Sequence, residues 1–178
     1  MKQMFLKAWV LIAITTISSV ALGQGVSGYT LGSGDQLEVQ VYGEDDMTVE
    51  AYLSDTGTLS YPFLGELKVL GLTVGQLEAL ITQGLQPDYF IDPLVTVRII
   101  EYRQFYINGE VDKPGGFAFQ PGLTVRKAVS LAGGFTERAS KSSVYVISDT
   151  SDTQESVKVK LNYAVKPGDI ITIEQSFF

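Results

Sequence analysis

Apolar and polar residues alternate along three stretches of the chain, a pattern typical of β-strands with one buried face. Residues 37–41, 49–53 and 95–99 each place an apolar side chain at every second position. Turn-forming residues stand at 32–35, before the first of these strands, and at 54–57, after the second. Leu64, Leu67 and Val69 belong to a further predicted short strand pair, which is interrupted by Pro62 and Gly65.

A helical period replaces this alternation after residue 73. One face of the predicted helix carries four apolar residues, and Gly84 and Pro87 mark its end. The four residues are Val74, Leu77, Leu80 and Ile81. Thr73 and Gln76 have the spacing of a capping box, in which each side chain bonds to a backbone N–H of the other residue.

The second half of the chain predicts another small sheet with a single helix. Strands are expected at 105–109, 117–119, 144–147, 157–161 and 170–173, with turns at 112–116 and 167–169. The helix carries Val125, Ala128, Val129 and Ala132 on one face, and it ends at Gly133-Gly134. The pattern as a whole predicts an α+β fold of two small units.

A short internal repeat supports two units of similar plan. Gly71-Leu72-Thr73-Val74 recurs as Gly122-Leu123-Thr124-Val125, and each copy opens a predicted helix. Each unit holds only about 75 residues, a size at which a domain buries a small fraction of its surface and is marginally stable alone. We therefore expect the units to contact each other, neighbouring copies of the chain, or both.

The first 23 residues have the features of a secretory signal peptide. Lys2 and Lys7 precede an apolar run at 8–17, and Ala21-Leu22-Gly23 fits a cleavage site before Gln24. Loss of the two lysines would leave 11 basic and 20 acidic residues, a net charge of −9. Gln24 stands where a lipoprotein would have its acylated cysteine, so direct lipid anchorage is not expected.

The composition argues against most catalytic chemistry. The chain has no histidine and no cysteine, which removes the usual general base, the common nucleophile systems and nearly all zinc sites. Its net acidity also argues against nucleic-acid binding, which requires basic patches to neutralise phosphate. We expect no cofactor, no metal and no enzymatic activity.

Two acidic clusters leave alternatives open. Residues 44–46 are Glu-Asp-Asp, which could form a calcium site or a glycosidase carboxylate pair, although a solvated loop between two strands is the favoured interpretation. Asp149, Asp152 and Glu155 are also interpreted as a solvated loop.

Aromatic and basic residues near residue 103 are the best candidates for ligand contact. Tyr102, Phe105, Tyr106, Phe117 and Phe119 could stack on sugar rings, but packing of short strands is favoured. Four arginines could meet an anionic polymer or a partner's carboxylates, or remain single surface charges: Arg98, Arg103, Arg126 and Arg138. The terminal Phe177-Phe178 is interpreted as a plain chain end or an interface contact.

An ordered series of motifs resembles the bacterial outer-membrane polysaccharide export family. Residues 55–73 contain an Asp55-Thr56-Gly57 turn, a P-x-x-G corner and a G-L-T helix start, in the order of the D-x-x-G, P-x-x-G and G-L-T motifs of that family's export domain. Residues from 103 onward resemble the soluble-ligand-binding β-grasp domain that follows it, with Asn108-Gly109-Glu110-Val111, Lys113-Pro114-Gly115 and Leu131 to Phe135 as its motifs. Lys166-Pro167-Gly168-Asp169 completes this second set.

The resemblance implies an export domain at 24–102 and a β-grasp domain at 103–178, in a short form without the family's C-terminal transmembrane helix. It also implies sixteen motif residues with structural roles. These are Gly34, Asp35, Asp55, Gly57, Pro62, Gly65, Gly71, Thr73, Gly109, Pro114, Gly115, Gly133, Gly134, Pro167, Gly168 and Asp169.

The function implied by the resemblance is a non-enzymatic part of a conduit for capsule, exopolysaccharide or biofilm polymer. The expected partners are other copies of the chain in a ring, the polysaccharide, an inner-membrane polysaccharide co-polymerase and a separate outer-membrane β-barrel. The expected location is the periplasm, in association with the outer membrane. The alternatives are a periplasmic module that binds a glycan or small ligand, and an envelope scaffold.

Overall fold

Two separate hydrophobic cores divide the part of the chain that the structure describes. The structure is a computed structural model that describes residues 28–149 and 155–176. One core is built from buried residues between Leu31 and Val97, and the other from buried residues between Phe105 and Ile173. The predicted signal peptide, its Gly23–Gln24 junction, Asp152 and Phe177-Phe178 lie outside the described residues.

The first unit holds five strands and one helix in two small sheets. They are β1 (Gln36–Val41), β2 (Glu44–Tyr52), β3 (Thr58–Tyr61), β4 (Gly65–Lys68), α1 (Val74–Leu85) and β5 (Val95–Glu101). The main sheet has the order β2-β1-β5 with antiparallel pairing throughout, and β3 pairs with β4 in a hairpin. Leu37, Val39 and Val41 of β1 are fully buried, as their alternation predicts.

The second unit is a five-stranded sheet with one helix. Its elements are β6 (Phe105–Gly109), β7 (Gly115–Phe117), α2 (Val125–Leu131), β8 (Ala139–Ile147), β9 (Val157–Val159) and β10 (Ile170–Gln175). The strand order is β7-β6-β10-β8-β9, and only the central β6–β10 pair is parallel. A mixed sheet with one helix is the β-grasp arrangement, so the predicted α+β class is confirmed.

Both helices begin where their caps predict. The Thr73 hydroxyl accepts a hydrogen bond from the Gln76 backbone N–H, and the Gln76 side chain accepts one from the Thr73 N–H. Thr124 caps α2 through the Lys127 N–H alone. Each cap satisfies an otherwise unpaired helix donor, a contribution of about 1 kcal/mol.

Several element boundaries differ from the sequence prediction. Residues 44–46 begin β2 and are not a loop, because a two-residue turn at Tyr42-Gly43 joins β1 to β2 directly; their side chains are exposed. The helix α1 continues through Gly84 to Leu85, which is fully buried, whereas Leu80 is 37% exposed. The strand β7 ends at Phe117, before Phe119.

No helix within residues 28–149 and 155–176 is long and apolar enough to cross a membrane. Over the same residues, no group of three or more acidic side chains is arranged to hold a metal ion.

Candidate functional site

A buried carboxylate lies where the two units meet. Asp35 is fully buried at the turn before β1, and its Oδ2 accepts a hydrogen bond from the Gly32 N–H at 2.8 Å. Gly34 gives this turn its shape because its φ of +90° is a left-handed conformation that favours glycine. A charge removed from water in this way is costly unless several donors surround it.

Arg103 supplies those donors from the first residues after β5. Its backbone N–H donates to Asp35 Oδ1 at 2.9 Å, and its Nη1 donates to Asp35 Oδ2 at 3.2 Å. The Tyr29 hydroxyl donates to Asp35 Oδ2 at 2.6 Å and accepts from Arg103 Nη1 at 2.7 Å. Burial and the neighbouring Asp35 carboxylate raise the pKa of Tyr29 above its ordinary value. In all, the Asp35 carboxylate accepts four hydrogen bonds, which come from the Gly32 N–H, the Tyr29 hydroxyl, and the backbone N–H and Nη1 of Arg103.

The same arginine reaches the second unit. Arg103 Nε donates to Asp149 Oδ2 at 3.0 Å, just beyond the end of β8, and its side chain is only 11% exposed. Asp149 is thus an ion-pair partner and does not belong to a purely solvated loop. Gly168 leaves room for this contact, because a Cβ there would lie 2.6 Å from Asp149 Oδ2.

Aromatic rings form a second link across the junction. Tyr29 contacts Tyr102 edge-to-face at 5.1 Å between ring centroids, and Tyr102 contacts Phe119 in the same way at 5.3 Å. Phe105 is fully buried and stacks on Phe117, so these two rings belong to the core of the second unit. Tyr106, in contrast, remains 50% exposed.

The turn around Asp35 recurs at the other end of the chain. Residues 29–35 read Tyr-Thr-Leu-Gly-Ser-Gly-Asp, and residues 163–169 read Tyr-Ala-Val-Lys-Pro-Gly-Asp. Asp169 is also fully buried, and its Oδ2 accepts from the N–H three residues earlier at 2.8 Å, as Asp35 does. In both units the segment before the turn pairs with the loop that opens the helix, through Leu31–Leu72 and Val165–Leu123.

The Gly-Leu-Thr-Val repeat does not reveal this second repeat, although its shared Tyr, Gly and Asp spacing is visible in the sequence. The position of this segment relative to the Gly-Leu-Thr-Val repeat differs between the two units. The tyrosine-to-aspartate segment precedes the helix in the first unit and follows it in the second. Aligning the halves end to end therefore hides the correspondence.

The two aspartates differ in their surroundings. Burial raises the pKa of Asp169, an effect opposed by its bond from the Lys166 N–H and by a hydrogen bond with Ser148. Its Oδ1 has no hydrogen-bond partner within the described residues. Asp35 Oδ1, at the equivalent position, accepts from the Arg103 N–H.

The sixteen predicted motif residues do not form one cluster. Gly34, Asp35, Pro167, Gly168 and Asp169 lie at the two turns by the junction. Gly71, before α1, also lines the groove at the junction. The others lie elsewhere: Asp55 and Gly57 between β2 and β3, Pro62 and Gly65 in the β3–β4 hairpin, Thr73 at the start of α1, Gly109, Pro114 and Gly115 in the β6–β7 hairpin, and Gly133 and Gly134 after α2.

Two cavities lie beside Arg103. The larger is an open groove of about 1010 Å³ whose lining includes Tyr52, Tyr106, Gln104 and Asp149. The smaller cavity has a volume of about 400 Å³. Aromatic residues and prolines form half of its lining, among them Tyr29 and Phe119. Sites between two structural units are common positions for ligand pockets.

Both halves of the chain match known family models. Residues 24–100 match the polysaccharide biosynthesis/export protein family, and residues 104–158 match the SLBB domain.

Three curated relatives have related names. The exopolysaccharide production protein ExoF of Rhizobium meliloti is 33% identical over 138 residues, which cover 70% of this chain and 32% of ExoF. The EPS I polysaccharide export outer membrane protein EpsA of Ralstonia nicotianae is 25% identical over 83% of this chain and 47% of EpsA. The capsule polysaccharide export outer membrane protein CtrA of Neisseria meningitidis is 26% identical over 87% of this chain and 39% of CtrA. The chain thus spans about a third to a half of the length of each relative.

Removal of the Arg103 side chain should destabilise the protein far more than removal of its exposed partner. Arg103→Ala leaves the buried Asp35 carboxylate without its counter-charge, so we expect a loss of about 3 kcal/mol in the free energy of unfolding. Asp149 is 52% exposed, so Asp149→Ala should cost about 1 kcal/mol or less. Urea denaturation followed by circular dichroism measures both. Equal losses in the two variants would contradict this account of the junction.

Asp169 should make stability depend on pH. Because its pKa is raised in the folded state, the folded protein holds this proton more tightly than the unfolded chain. The resulting stabilisation is present below the ordinary aspartate pKa, about 4, and is lost as the pH rises through the folded value. Asp169→Asn keeps an oxygen for the Lys166 N–H but cannot ionise. As the pH rises from about 4 to 7, the free energy of unfolding of this variant should therefore fall less than that of the wild type. Parallel profiles in urea denaturation would show that Asp169 does not titrate in this way.

Proposed function

Because the chain belongs to the polysaccharide biosynthesis/export family, we propose that it helps to move a polysaccharide through the cell envelope. The observation that carries this proposal is the order of the two units, an export unit followed directly by an SLBB-type β-grasp unit. The relatives named for exopolysaccharide production and for polysaccharide export support the same role.

We propose that the protein acts without catalysing a covalent step. The chain contains no histidine or cysteine. Its two fully buried carboxylates, Asp35 and Asp169, each accept a backbone N–H within their own turn and so have a structural explanation. In this proposal the protein provides a surface and a passage for the polymer. It would lie in the periplasm near the outer membrane and meet an inner-membrane polysaccharide co-polymerase.

We further propose that copies of the chain assemble head to tail into a ring. Residues 28–102 contain 12 acidic and 2 basic residues, whereas residues 103–178 contain 8 acidic and 9 basic residues. The first unit thus carries a net charge of −10 and the second +1. A contact between unlike surfaces of successive copies closes into a ring when the rotation between copies permits it.

Two strand edges are suited to such a contact. The edge strand β2 of the first sheet begins with exposed Glu44, Asp45 and Asp46. The edge strand β9 of the second sheet carries exposed Lys158, and exposed Lys160 follows it. Edge strands have unpaired backbone groups that can bind a strand of another chain, and the opposite charges favour this pairing.

Deletion of the gene should abolish surface polysaccharide in a strain that makes it. A full-length copy should restore the polymer, whereas a copy without residues 2–23 should not, because the protein would remain in the cytoplasm. Assay of surface and released polysaccharide gives the result, and an immunoblot checks that both copies are produced. Unchanged polymer in the deletion strain would contradict the export role and favour a periplasmic binding module.

Charge reversal at either edge should break the assembly. We expect Asp45→Lys/Asp46→Lys and Lys158→Glu/Lys160→Glu each to shift the purified protein from oligomer to monomer, and the four changes combined to restore the oligomer. Light scattering after size-exclusion chromatography measures the mass. The oligomer should also weaken between about 50 mM and 500 mM salt, because salt screens exposed charges.

The matched control is Asp88→Lys/Asp92→Lys, which makes the same charge change at exposed positions of the segment between α1 and β5, outside the β2 edge. This control should assemble as the wild type does. A monomeric wild type, or failure of the four-residue variant to recover while remaining folded, would rule out this contact.

A further inference from the structure

The groove beside Arg103 has an apolar surface that neither core explains. Tyr52 is 60% exposed and Tyr106 is 50% exposed, and Ile170 next to Tyr106 is 37% exposed. None of the three belongs to the residues that form or flank the two cores. Exposed aromatic residues gathered in a concave surface usually mark a binding site.

The two tyrosines come from different units and face the same space. Tyr52 ends β2 on the uncovered side of the first sheet, and Tyr106 lies on the uncovered side of the second. Gly116 lets the Tyr106 ring lie close to the neighbouring strand, because a Cβ there would be 3.0 Å from Tyr106 Cε1 and 2.6 Å from Gln104 Oε1. Arg103 lines the same groove as both rings.

The polar groups of the groove suit hydroxyl groups and do not suit a polyanion. Gln104 offers an amide, and Glu101 and Asp149 offer carboxylate acceptors. Arg103 is the one cation among the described lining residues, and it is already paired with Asp35 and Asp149. A negatively charged polymer would therefore meet carboxylates in the groove, one side of which belongs to the first unit with its net charge of −10.

We propose that this groove binds an uncharged segment of the exported polysaccharide, with Tyr52 and Tyr106 stacking on sugar rings and with Gln104 and Glu101 binding hydroxyls. A sugar ring has an apolar C–H face and a rim of hydroxyls, which matches aromatic faces beside amide and carboxylate groups. This inference rests on the proposed export function and assigns a binding site and a polymer class to it.

Binding of polysaccharide purified from the same strain tests the proposal. The full chain and its variants are compared by affinity electrophoresis in gels that contain the polymer. We expect Tyr52→Ala and Tyr106→Ala each to weaken binding about tenfold, a difference of about 1.4 kcal/mol. Tyr42→Ala is the matched control, because Tyr42 is 82% exposed in the turn between β1 and β2 of the same unit but does not line the groove. Urea denaturation confirms that the variants fold.

Salt dependence tests the polymer class. Binding to an uncharged segment should be nearly the same at about 50 mM and 500 mM salt, whereas binding to a polyanion should collapse at the higher concentration. Salt-sensitive binding would overturn the proposed class. Folded tyrosine variants that bind as the wild type does would overturn the site.

The deletion experiment separates this inference from the export function. If deletion abolishes surface polymer but Tyr52→Ala/Tyr106→Ala restores it fully, the groove is not the binding site and the export role stands. If deletion leaves the polymer unchanged, the export role itself fails.

Discussion

The contact between the Asp35 carboxylate and Arg103 is the constraint on which the arrangement of the two units depends. Asp35 is fully buried and would be costly in that position without the backbone N–H and guanidinium of Arg103. The Arg103 donors reach Asp35 only when the residues that follow β5 take one particular course. That path also carries Tyr102 toward Phe119 and brings Arg103 Nε to Asp149. One buried charge thus fixes where the second unit begins.

Directional bonds explain why such a junction is more restrictive than an apolar one. Two hydrophobic surfaces tolerate sliding, because contact area changes little with small displacements. The hydrogen bonds around Asp35 require donor-to-acceptor distances near 3 Å and nearly linear geometry. Displacement of Arg103 by one or two ångströms would leave buried polar atoms unpaired. The two cores can therefore remain separate while their orientation stays fixed.

The sequence predicted most of the regular structure but not this junction. Alternation located β1, β2 and β5, and the capping residues Thr73 and Thr124 located both helix starts, because these signals come from neighbouring residues. Arg103 gave no such signal, since a single arginine between two strands reads as a surface charge. Its role depends on Asp35, which is 68 positions away in the sequence, and on Asp149, which is 46 positions away. The acidic side chains of residues 44–46 predict a loop because they favour solvent, but an exposed edge strand satisfies that requirement as well.

A surface that helps a polymer to pass must hold each segment weakly. Binding that is strong at one site would stop movement, whereas many weak and equivalent sites lower the cost of leaving any one of them. The groove fits this requirement, because Tyr52 and Tyr106 are half exposed and the space between them is open. In a ring of copies, the groove would recur once per copy around the passage, so a segment released from one groove could be held by a neighbouring one. Rigid placement by Arg103 then matters more than high affinity, since the copies must present equivalent sites for the polymer to exchange between them.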